Sequence, residues 1–242
     1  MKKSFRPPLK KKDPFLEKFH FFFLWFVRIT LLLSLYRSIV SENWYVLGIS
    51  AFALMLTFLV LIIERRYKID IPIEFEIGTV LLIYGSIVLG ELRGYYAAFW
   101  WWDLILHTLT GVIVGLVGFL ILLTLYRKKQ VIASPASIAL FSFSLAAAIG
   151  GLWEIFEFGM DQLFGLNMQK SGLIDTMWDL IVNSIGALLA SLTGYFYLKS
   201  GEAPLISRIV HRFKRENPRI AKNLPKNRQF RHLTKLGLLS CT

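Results

Sequence analysis

Cysteine is nearly absent from this chain, because Cys241 is the one cysteine among 242 residues. A single thiol excludes an internal disulfide framework and any metal site built from several cysteines. Charged residues are also scarce, at 18% of the chain, whereas 55% of the residues are hydrophobic and the mean hydropathy is +0.53. This composition excludes an ordinary soluble domain, which needs a larger share of charged and polar residues.

The hydrophobic residues fall into runs of about 20, the length with which an α-helix crosses the roughly 30 Å hydrocarbon core of a membrane. We therefore predict an all-α, polytopic membrane protein whose transmembrane domain covers residues 19–198. A cleaved signal peptide is the competing interpretation of the first run, but that run is too long and no small-residue cleavage site ends it. The six predicted spans are about 19–41, 44–63, 72–92, 102–125, 136–158 and 175–198.

The basic residues predict the orientation of these spans. Tails and loops on one side hold 7, 3, 3 and 11 Lys and Arg residues in chain order, and the loops on the other side hold Arg93 and Lys170. Cytoplasmic segments of membrane proteins carry such an excess of Lys and Arg. We therefore expect a multi-pass protein of a bacterial plasma membrane with both termini cytoplasmic. The net charge of +12 follows from this distribution, so it does not indicate binding to nucleic acid.

Basic segments also flank the spans. Residues 1–18 are predicted to be a cytoplasmic tail, residues 199–216 a basic amphipathic helix and residues 217–242 a disordered tail. The apolar face of the helix consists of Leu205, Ile206, Ile209, Val210 and Phe213. Such a helix is expected to lie on the anionic lipids of the inner leaflet. A plain topology anchor would have the same pattern, and the sequence does not indicate the oligomeric state.

The outer ends of the last three spans carry polar residues at helical spacing. Asp103 and His107 are four residues apart, so they share one face of span four. The next two spans repeat the pattern with Glu154, Glu157 and Asp161, and with Asp175, Asp179 and Asn183. Such groups are costly at the edge of the hydrocarbon, which makes them a functional hypothesis by default. Glycines on the same spans permit close helix contact, and we expect the side-chain groups of His107, Glu157 and Asp179 to approach within about 8 Å, the span across one shared ion.

Carboxylates combined with one imidazole suit Mg²⁺, Mn²⁺, Ca²⁺ or Zn²⁺. A zinc site of three histidines is excluded, because His107 is the one histidine on the predicted outer side. The predicted metal ligands are Glu154, Glu157, Asp103 and Asp175. His107, as general base, and Asp179 are the predicted catalytic residues. The predicted substrate-binding residues are Arg93, Arg37 and Asn183.

These residues predict an outer-face site for a divalent metal and a phosphorylated envelope lipid, because Arg suits phosphate. Metal-assisted hydrolysis would be the reaction of such a site, although the sequence leaves open whether the protein is an enzyme. An ion- or proton-coupled transporter is an alternative, since membrane-embedded acids serve as proton relays, but no broken helix is evident. A non-catalytic scaffold in envelope assembly and a purely structural polar network remain open as well. Arg28 and Arg37 of the first span also have a structural interpretation, in which their stems extend toward the two interfaces.

The tetrapeptide Trp-Asp-Leu-Ile occurs twice, at residues 102–105 and 178–181. Each copy begins a span, and each is preceded by a span that ends in glutamate. We interpret spans three and four and spans five and six as parallel repeats, a construction in which sites form between the repeats. Chance recurrence in a chain rich in Trp and Leu is the alternative.

Three motifs resemble those of a known family: the Asp103-x3-His107 pair, the Trp153-Glu154 pair and the run from Asp175 to Asp179, Asp-Thr-x-Trp-Asp. They are similar to motifs of the YjdF-like family of uncharacterised bacterial membrane-spanning proteins. The segment from Asp179 to Gly186, DLIVNSIG, more distantly resembles the last motif of VanZ-like proteins, which are linked to glycopeptide resistance at the cell envelope. The resemblance covers about residues 90–198 and implies a plasma-membrane protein without supplying a reaction.

Overall fold

The computed structural model describes residues 14–127, 131, 133–200 and 204–218. Within these residues the chain is helical and contains no strand, and six helical stretches are long and apolar enough to cross a membrane. The prediction of an all-α protein with six spans is therefore confirmed. Residues 1–13 of the predicted N-terminal tail and residues 219–242 of the predicted disordered tail lie outside the described residues.

The bounds of the helices follow the apolar runs. In chain order they are α1 (Pro14–Val40), α2 (Trp44–Leu56), α3 (Leu59–Tyr67), α4 (Ile73–Ile83), a π-helical segment (Tyr84–Leu92), α5 (Tyr95–Ala98), α6 (Trp102–Arg127), α7 (Pro135–Phe164), α8 (Leu173–Ser200) and α9 (Pro204–Glu216). Proline stands at the first position of α1 and of α7, where its missing N–H needs no partner within the helix. The second span consists of α2 and α3, and the third consists of α4 and the π-helical segment.

The second span is interrupted, which corrects the expectation that no helix is broken. Thr57 and Phe58 form a turn between α2 and α3. The guanidinium of Arg28 on α1 donates to Thr57 Oγ1 at 3.3 Å and to the Thr57 carbonyl at 3.2 Å, and it lies 4.0 Å from the centre of the Phe58 ring. Arg28 therefore stabilises the turn of a neighbouring helix, whereas the sequence predicted that it extends toward the membrane interface.

The third span ends in a π-helix, a rare conformation that often occurs near functional sites. The wider turn of a π-helix leaves some backbone carbonyls free to bind side chains. One of them is the Gly85 carbonyl, which accepts a hydrogen bond from the Trp102 indole at 3.0 Å. Gly90 has no side chain, and the ring of Tyr96 occupies the place where a Cβ would be. The π-helical segment thus holds α5 and the start of α6 against the end of α4.

Helix α7 continues to Phe164, whereas the sequence predicted a span that ends at about residue 158. Gly165 ends the helix with a left-handed φ of 64°, which glycine adopts without strain. The Asp161 carboxylate then accepts hydrogen bonds from the backbone N–H groups of Met168 (2.7 Å) and Gln169 (2.9 Å). The connection to α8 is therefore short, and it is held down by a residue of α7.

Helices α6, α7 and α8 pack closely against one another. A Cβ built on Gly186 of α8 would overlap the Thr108 carbonyl of α6, and one built on Gly111 of α6 would overlap the Asn183 carbonyl of α8. The two backbones are therefore in direct contact, as the glycines predicted. This contact fixes the distance between side chains one or two turns away, including those of His107 and Asp179.

Helix α9 covers the end of the bundle at which α3 ends and α4 begins. Its residues Ile206, Ile209 and Val210 are buried in a cluster with apolar residues of α4, α6, α7 and α8. The apolar face of this helix thus packs on protein. Contact of its basic face with anionic lipids stays a prediction.

Polar contacts attach the end of α9 to the loop before α4. Asn217 accepts a hydrogen bond from the Asp70 N–H at 2.8 Å and donates to the Asp70 carbonyl at 2.6 Å. Arg212 Nη1 lies 3.2 Å from Glu74 Oε1, which adds an ion pair between α9 and the first turn of α4.

Candidate functional site

Three of the predicted site residues meet between α6 and α8. His107 Nε2 lies 3.5 Å from Asp103 Oδ1, one turn earlier on the same helix, and 4.0 Å from Asp179 Oδ2 on α8. The two aspartates are those of the repeated Trp-Asp-Leu-Ile tetrapeptide, so the two copies converge on one imidazole edge. Whether the copies belong to parallel repeats stays a prediction.

Glu154 of α7 approaches the opposite edge of the same ring. Its Oε1 lies 3.8 Å from His107 Nδ1. The side chains of Thr176 and Gln169 are also near this carboxyl group, but neither oxygen of Glu154 makes a hydrogen bond of normal geometry to a described residue. We call Asp103, His107, Glu154 and Asp179 the acidic cluster.

Two carboxyl groups of the cluster, those of Asp179 and Glu154, are buried without sufficient partners. Asp179 is 1% exposed and Glu154 is 5% exposed. Among the described residues, neither oxygen of Asp179 has a hydrogen-bond partner. An ionised carboxylate is very costly to bury unless a cation or hydrogen-bond donors compensate its charge. The cluster therefore requires either bound protons or a cation.

Asn183 lies one turn deeper than Asp179 and joins α8 to α7. Its Nδ2 donates to the Ala146 carbonyl at 3.2 Å, while its buried Oδ1 has no partner among the described residues. Gly150 of α7 leaves the space that the Asn183 amide occupies. Asn183 thus supports the position of α8, and its predicted contact with a substrate is untested.

Lys170 is the cation nearest the cluster, and sequence analysis did not select it. Its Nζ lies 2.5 Å from Asp103 Oδ2 and 4.4 Å from the centre of the Tyr96 ring. The Lys170 side chain is 32% exposed, so it closes the cluster toward solvent without being fixed in a core. One signal was present in the sequence: Lys170 is the single basic residue in the connection between α7 and α8, and it lies between Asp161 and Asp175 along the chain.

Tyr96 of α5 also belongs to the surroundings of the cluster, because its ring lies against Lys170. Burial raises the pKa of the Tyr96 phenol, and the negative charges of Asp103 and Glu157 raise it further. The phenol therefore stays neutral beside the Lys170 ammonium group. The Tyr96 ring stabilises this ammonium group through a cation–π contact.

Glu157 lies near the cluster but has its own partner. The Trp153 indole, one turn earlier on α7, donates to Glu157 Oε1 at 2.9 Å. Glu157 is buried and interacts electrostatically with Glu154, Asp103 and Asp179. It adds negative charge to this region, and its predicted approach to within about 8 Å of His107 and Asp179, roughly the span across one ion, is untested.

The other predicted site residues do not join the cluster in this conformation. Asp175 lies in the first turn of α8, partly buried, where Lys170 interacts with it electrostatically. Arg37 and Arg93 are exposed. Within the described part of the chain, neither arginine makes a hydrogen bond or an ion pair with the cluster. Their predicted roles in substrate binding therefore have no contact that supports them here.

The geometry of the cluster fits a metal ion. One ligand atom from each of Asp103, His107 and Asp179 can be chosen so that all lie within 4.8 Å of one another. Cations with bonds of roughly 2.0 to 2.5 Å hold neighbouring ligand atoms roughly 3 to 4 Å apart, so small side-chain rotations suffice. Glu154 faces the other edge of His107, and it suits the position of a carboxylate that orients a metal-bound histidine.

The six spans and the buried cluster between the last three define a multi-pass helical membrane protein with a polar site near one end. Residues 20–200 match the family described as "Predicted membrane protein (DUF2238)". This match covers most of the chain, and the chain belongs to that family. The result is consistent with the YjdF-like resemblance, whereas it gives no support to the VanZ-like resemblance.

One relative is a protein of Thermotoga maritima described as "Uncharacterized protein". It is 28% identical to this chain over 123 residues, which are 51% of this chain and 62% of the relative. The chain thus covers less than two thirds of the length of that protein. No solved structure matches the chain.

Proposed function

We propose that the acidic cluster is a divalent-cation site at the extracytoplasmic face of a bacterial plasma-membrane protein. The main support is the state of Asp179. Its carboxyl oxygens are buried and have no hydrogen-bond partner among the described residues. The nearer oxygen to His107, Oδ2, lies 4.0 Å from Nε2, which is too far for a hydrogen bond. A divalent cation would compensate this charge and that of Asp103 at once. The basic loops at the opposite end of the bundle support a cytoplasmic location for that end.

The proposed ligands are Asp103, Asp179 and Nε2 of His107. Glu154 then accepts a hydrogen bond from the Nδ1–H of His107 after a shift of less than about 1 Å from the observed 3.8 Å. In this arrangement His107 is a ligand, and the sequence-based role of general base is not needed. Glu157 and Asp175 strengthen the negative potential without binding the ion directly.

Lys170 has a defined role in this proposal. In the observed conformation its ammonium group neutralises Asp103. A cation that binds Asp103 and Asp179 competes for the same carboxylate, so its binding releases Lys170 toward solvent. The residue is already partly exposed, and this movement requires no change in the helices.

The proposed ligand of the bound cation is a phosphorylated envelope lipid. A divalent cation held by three protein groups keeps open positions, and phosphate oxygens commonly fill such positions.

Trp153 and Phe156 of α7 and Trp178 of α8 are exposed near this end of the bundle, where lipids surround the protein. Arg37 and Arg93 end the first and third spans on the same side, with no ion pair of their own among the described residues. A bound cation would polarise a phosphoryl oxygen and so would serve a hydrolase as well as a lipid-binding protein.

Metal binding can be tested directly on the purified full-length protein. After chelation and dialysis, titration with Mn²⁺, Mg²⁺, Ca²⁺ and Zn²⁺ is followed by calorimetry and by the unfolding temperature. We expect saturable binding of at least one ion and a rise in the unfolding temperature. Asp179→Asn keeps the shape of the side chain and removes its charge, so it is expected to weaken binding by at least about tenfold.

Asp175→Asn is the matched control, because it removes a carboxylate from the same helix one turn away. The proposal expects a much smaller loss of affinity in that variant than in Asp179→Asn, because Asp175 contributes to the negative potential without binding the ion. Equal binding by the native protein and by Asp179→Asn would refute the site, and so would the absence of binding by every ion. Hydrolysis of phosphate from lipid phosphates in vesicles, measured with and without the bound ion, separates an enzyme from a binding protein.

The orientation requires a separate test. In a Cys241→Ser background, Asn167→Cys between α7 and α8 is expected to react with an impermeant maleimide added to intact cells. Lys199→Cys, near the end of α8, is expected to react only after the membrane is opened. Both residues are exposed, so burial does not decide the result. Labelling of Lys199→Cys in intact cells would show that the orientation is opposite to the one proposed.

Ion-coupled transport is a second candidate, and the interruption at Thr57 and Phe58 favours it. Discontinuous spans often form substrate sites in transporters. Uptake of the bound ion into proteoliposomes, measured with and without a pH gradient, tests this function. No uptake above that of the Asp179→Asn variant would exclude it.

A further inference from the structure

A cavity lined by both apolar and polar residues lies among α1, the second span and α4, away from the acidic cluster. It has a volume of about 230 Å³. Its polar lining residues are His20 and Arg28 of α1, Thr57 and Glu64 of the second span, and Glu76 and Thr79 of α4. Within each span these residues are three, seven or eight positions apart, intervals close to whole turns of an α-helix, so each span presents one polar face to the cavity.

Arg28 lies at the end of this cavity that is deeper in the bundle. Two of its nitrogens donate to Thr57, which leaves further N–H donors of the guanidinium without a partner in the described chain. Within the described residues Arg28 makes no ion pair; its other contact is with the Phe58 ring. A charged group inside a membrane span is costly and usually has a specific counter-charge. The cavity therefore offers an anion site at Arg28.

Acidic groups lie at the other end, next to the loop before α4. Glu64 Oε1 accepts a hydrogen bond from the Ile71 N–H at 2.7 Å. The other carboxyl oxygen, Oε2, can therefore face a ligand. Glu76 Oε2 lies 2.9 Å from His20 Nε2, but the imidazole nitrogen is buried and has no hydrogen-bond partner of normal geometry. Glu64 and Glu76 interact electrostatically with each other, so this end favours a bound cationic group.

The two ends are close enough for one small molecule. His20 and Arg28 are eight residues apart on α1, which corresponds to about 12 Å along the helix axis. The volume of the cavity lies below the roughly 300–1,000 Å³ of sites for drug-sized ligands. The ligand must therefore be compact, with an anionic and a cationic group separated by a few bonds.

We propose that this cavity binds a small zwitterion, with its carboxylate or phosphate on Arg28 and its ammonium group at Glu64 and Glu76. Two sources have this chemistry: a free amino acid or amino phosphate, and the headgroup of an ethanolamine phospholipid. The proposal is independent of metal binding at the acidic cluster, because the two sites share no residue.

The test uses purified full-length protein in detergent and two soluble probes, phosphoethanolamine and γ-aminobutyrate. Ethylamine, acetate and inorganic phosphate are the controls that carry one charge type each. We expect saturable calorimetric binding of at least one zwitterion and none of the controls at the same concentration. Arg28→Gln and Glu76→Gln are each expected to weaken that binding by at least about tenfold, because each removes a charged hydrogen-bonding group.

Lys18→Gln is the matched control, because Lys18 is an exposed cation of the same helix outside the cavity. Val60→Phe keeps every charge but fills the cavity, so it is expected to abolish binding of the zwitterion. This variant provides the test if Arg28→Gln does not fold. Competition by dioleoylphosphatidylethanolamine in nanodiscs, but not by dioleoylphosphatidylglycerol, would assign the headgroup as the ligand. Undisturbed probe binding in both lipids would assign the free compound. The proposal is overturned if neither the probes nor the ethanolamine lipid binds, or if Val60→Phe binds them as the native protein does.

Discussion

The contact between α6 and α8 yields the sharpest prediction about stability. Gly186→Ala adds one methyl group to α8, and that methyl would overlap the Thr108 carbonyl and crowd the Val112 nitrogen of α6. These obstacles are backbone atoms, so no side-chain rotation can relieve the overlap. Ordinary van der Waals contact requires the two helices to separate locally by roughly 1 Å.

The magnitude follows from two opposing effects. Replacing glycine by alanine within a helix gains up to about 1 kcal/mol from backbone propensity. Overpacking at a close contact costs about 1–3 kcal/mol. Gly151→Ala on α7 is the matched control, because a Cβ there would meet nothing within 4 Å. The propensity gain is common to both variants, so the free energy of unfolding of Gly186→Ala is expected to lie about 1–3 kcal/mol below that of Gly151→Ala.

The assay is thermal unfolding of both variants in one detergent, followed by tryptophan fluorescence. For a chain of this length, a difference of about 2 kcal/mol corresponds to at least about 4 °C in the unfolding temperature. Separation of the helices would also move Asp179 away from His107, so affinity for a divalent ion is expected to fall with stability. A Gly186→Ala protein that unfolds at or above the temperature of Gly151→Ala would refute the direct backbone contact.

Three further predictions concern contacts outside the helix core. Lys170→Met removes the ammonium group beside Asp103, so the metal-free protein is expected to unfold at a lower temperature while the affinity for Mn²⁺ rises; a fall in affinity would contradict the competition. Asp161→Ala removes the acceptor of two backbone amides. Hydrogen exchange in the loop between α7 and α8 is expected to accelerate about 5- to 30-fold, as for a lost cap worth about 1–2 kcal/mol; unchanged exchange would contradict this prediction. Asn217→Ala breaks both hydrogen bonds to Asp70, so trypsin is expected to cleave α9 faster than in the native protein. Equal cleavage rates would show that the apolar face alone holds the helix.

The spans were predictable because membrane insertion depends on long-range averages of hydrophobicity. A run of about 20 apolar residues indicates a span whatever its internal order. The interruption at Thr57 and Phe58 was not predictable for the same reason, since the run around it is uniformly apolar. It depends on Arg28 of another helix, whose guanidinium satisfies the freed Thr57 carbonyl.

The candidate site was predictable where helical periodicity determines the geometry. Asp103 and His107 share a face because they are four residues apart, and the glycines correctly indicated that α6 and α8 approach closely. Lys170 and the position of Glu154 relative to the imidazole depend on a loop conformation and on the rotation of α7, which no local pattern encodes. The arginines were selected by charge alone, and charge does not indicate where an exposed side chain points.

The arrangement of the acidic cluster along the chain has a consequence for biosynthesis. Asp103 and His107 leave the ribosome about 70 residues before Asp179, a delay of roughly 4 to 14 s at 5–20 residues per second. During that interval α6 can enter the bilayer, but the carboxylate that faces it from α8 does not yet exist. Until α8 is made, Asp103 and His107 of α6 are therefore expected to contact the lipid headgroups or the translocation machinery. Codon changes that slow translation between α7 and α8 lengthen this vulnerable stage without altering a single residue of the finished protein.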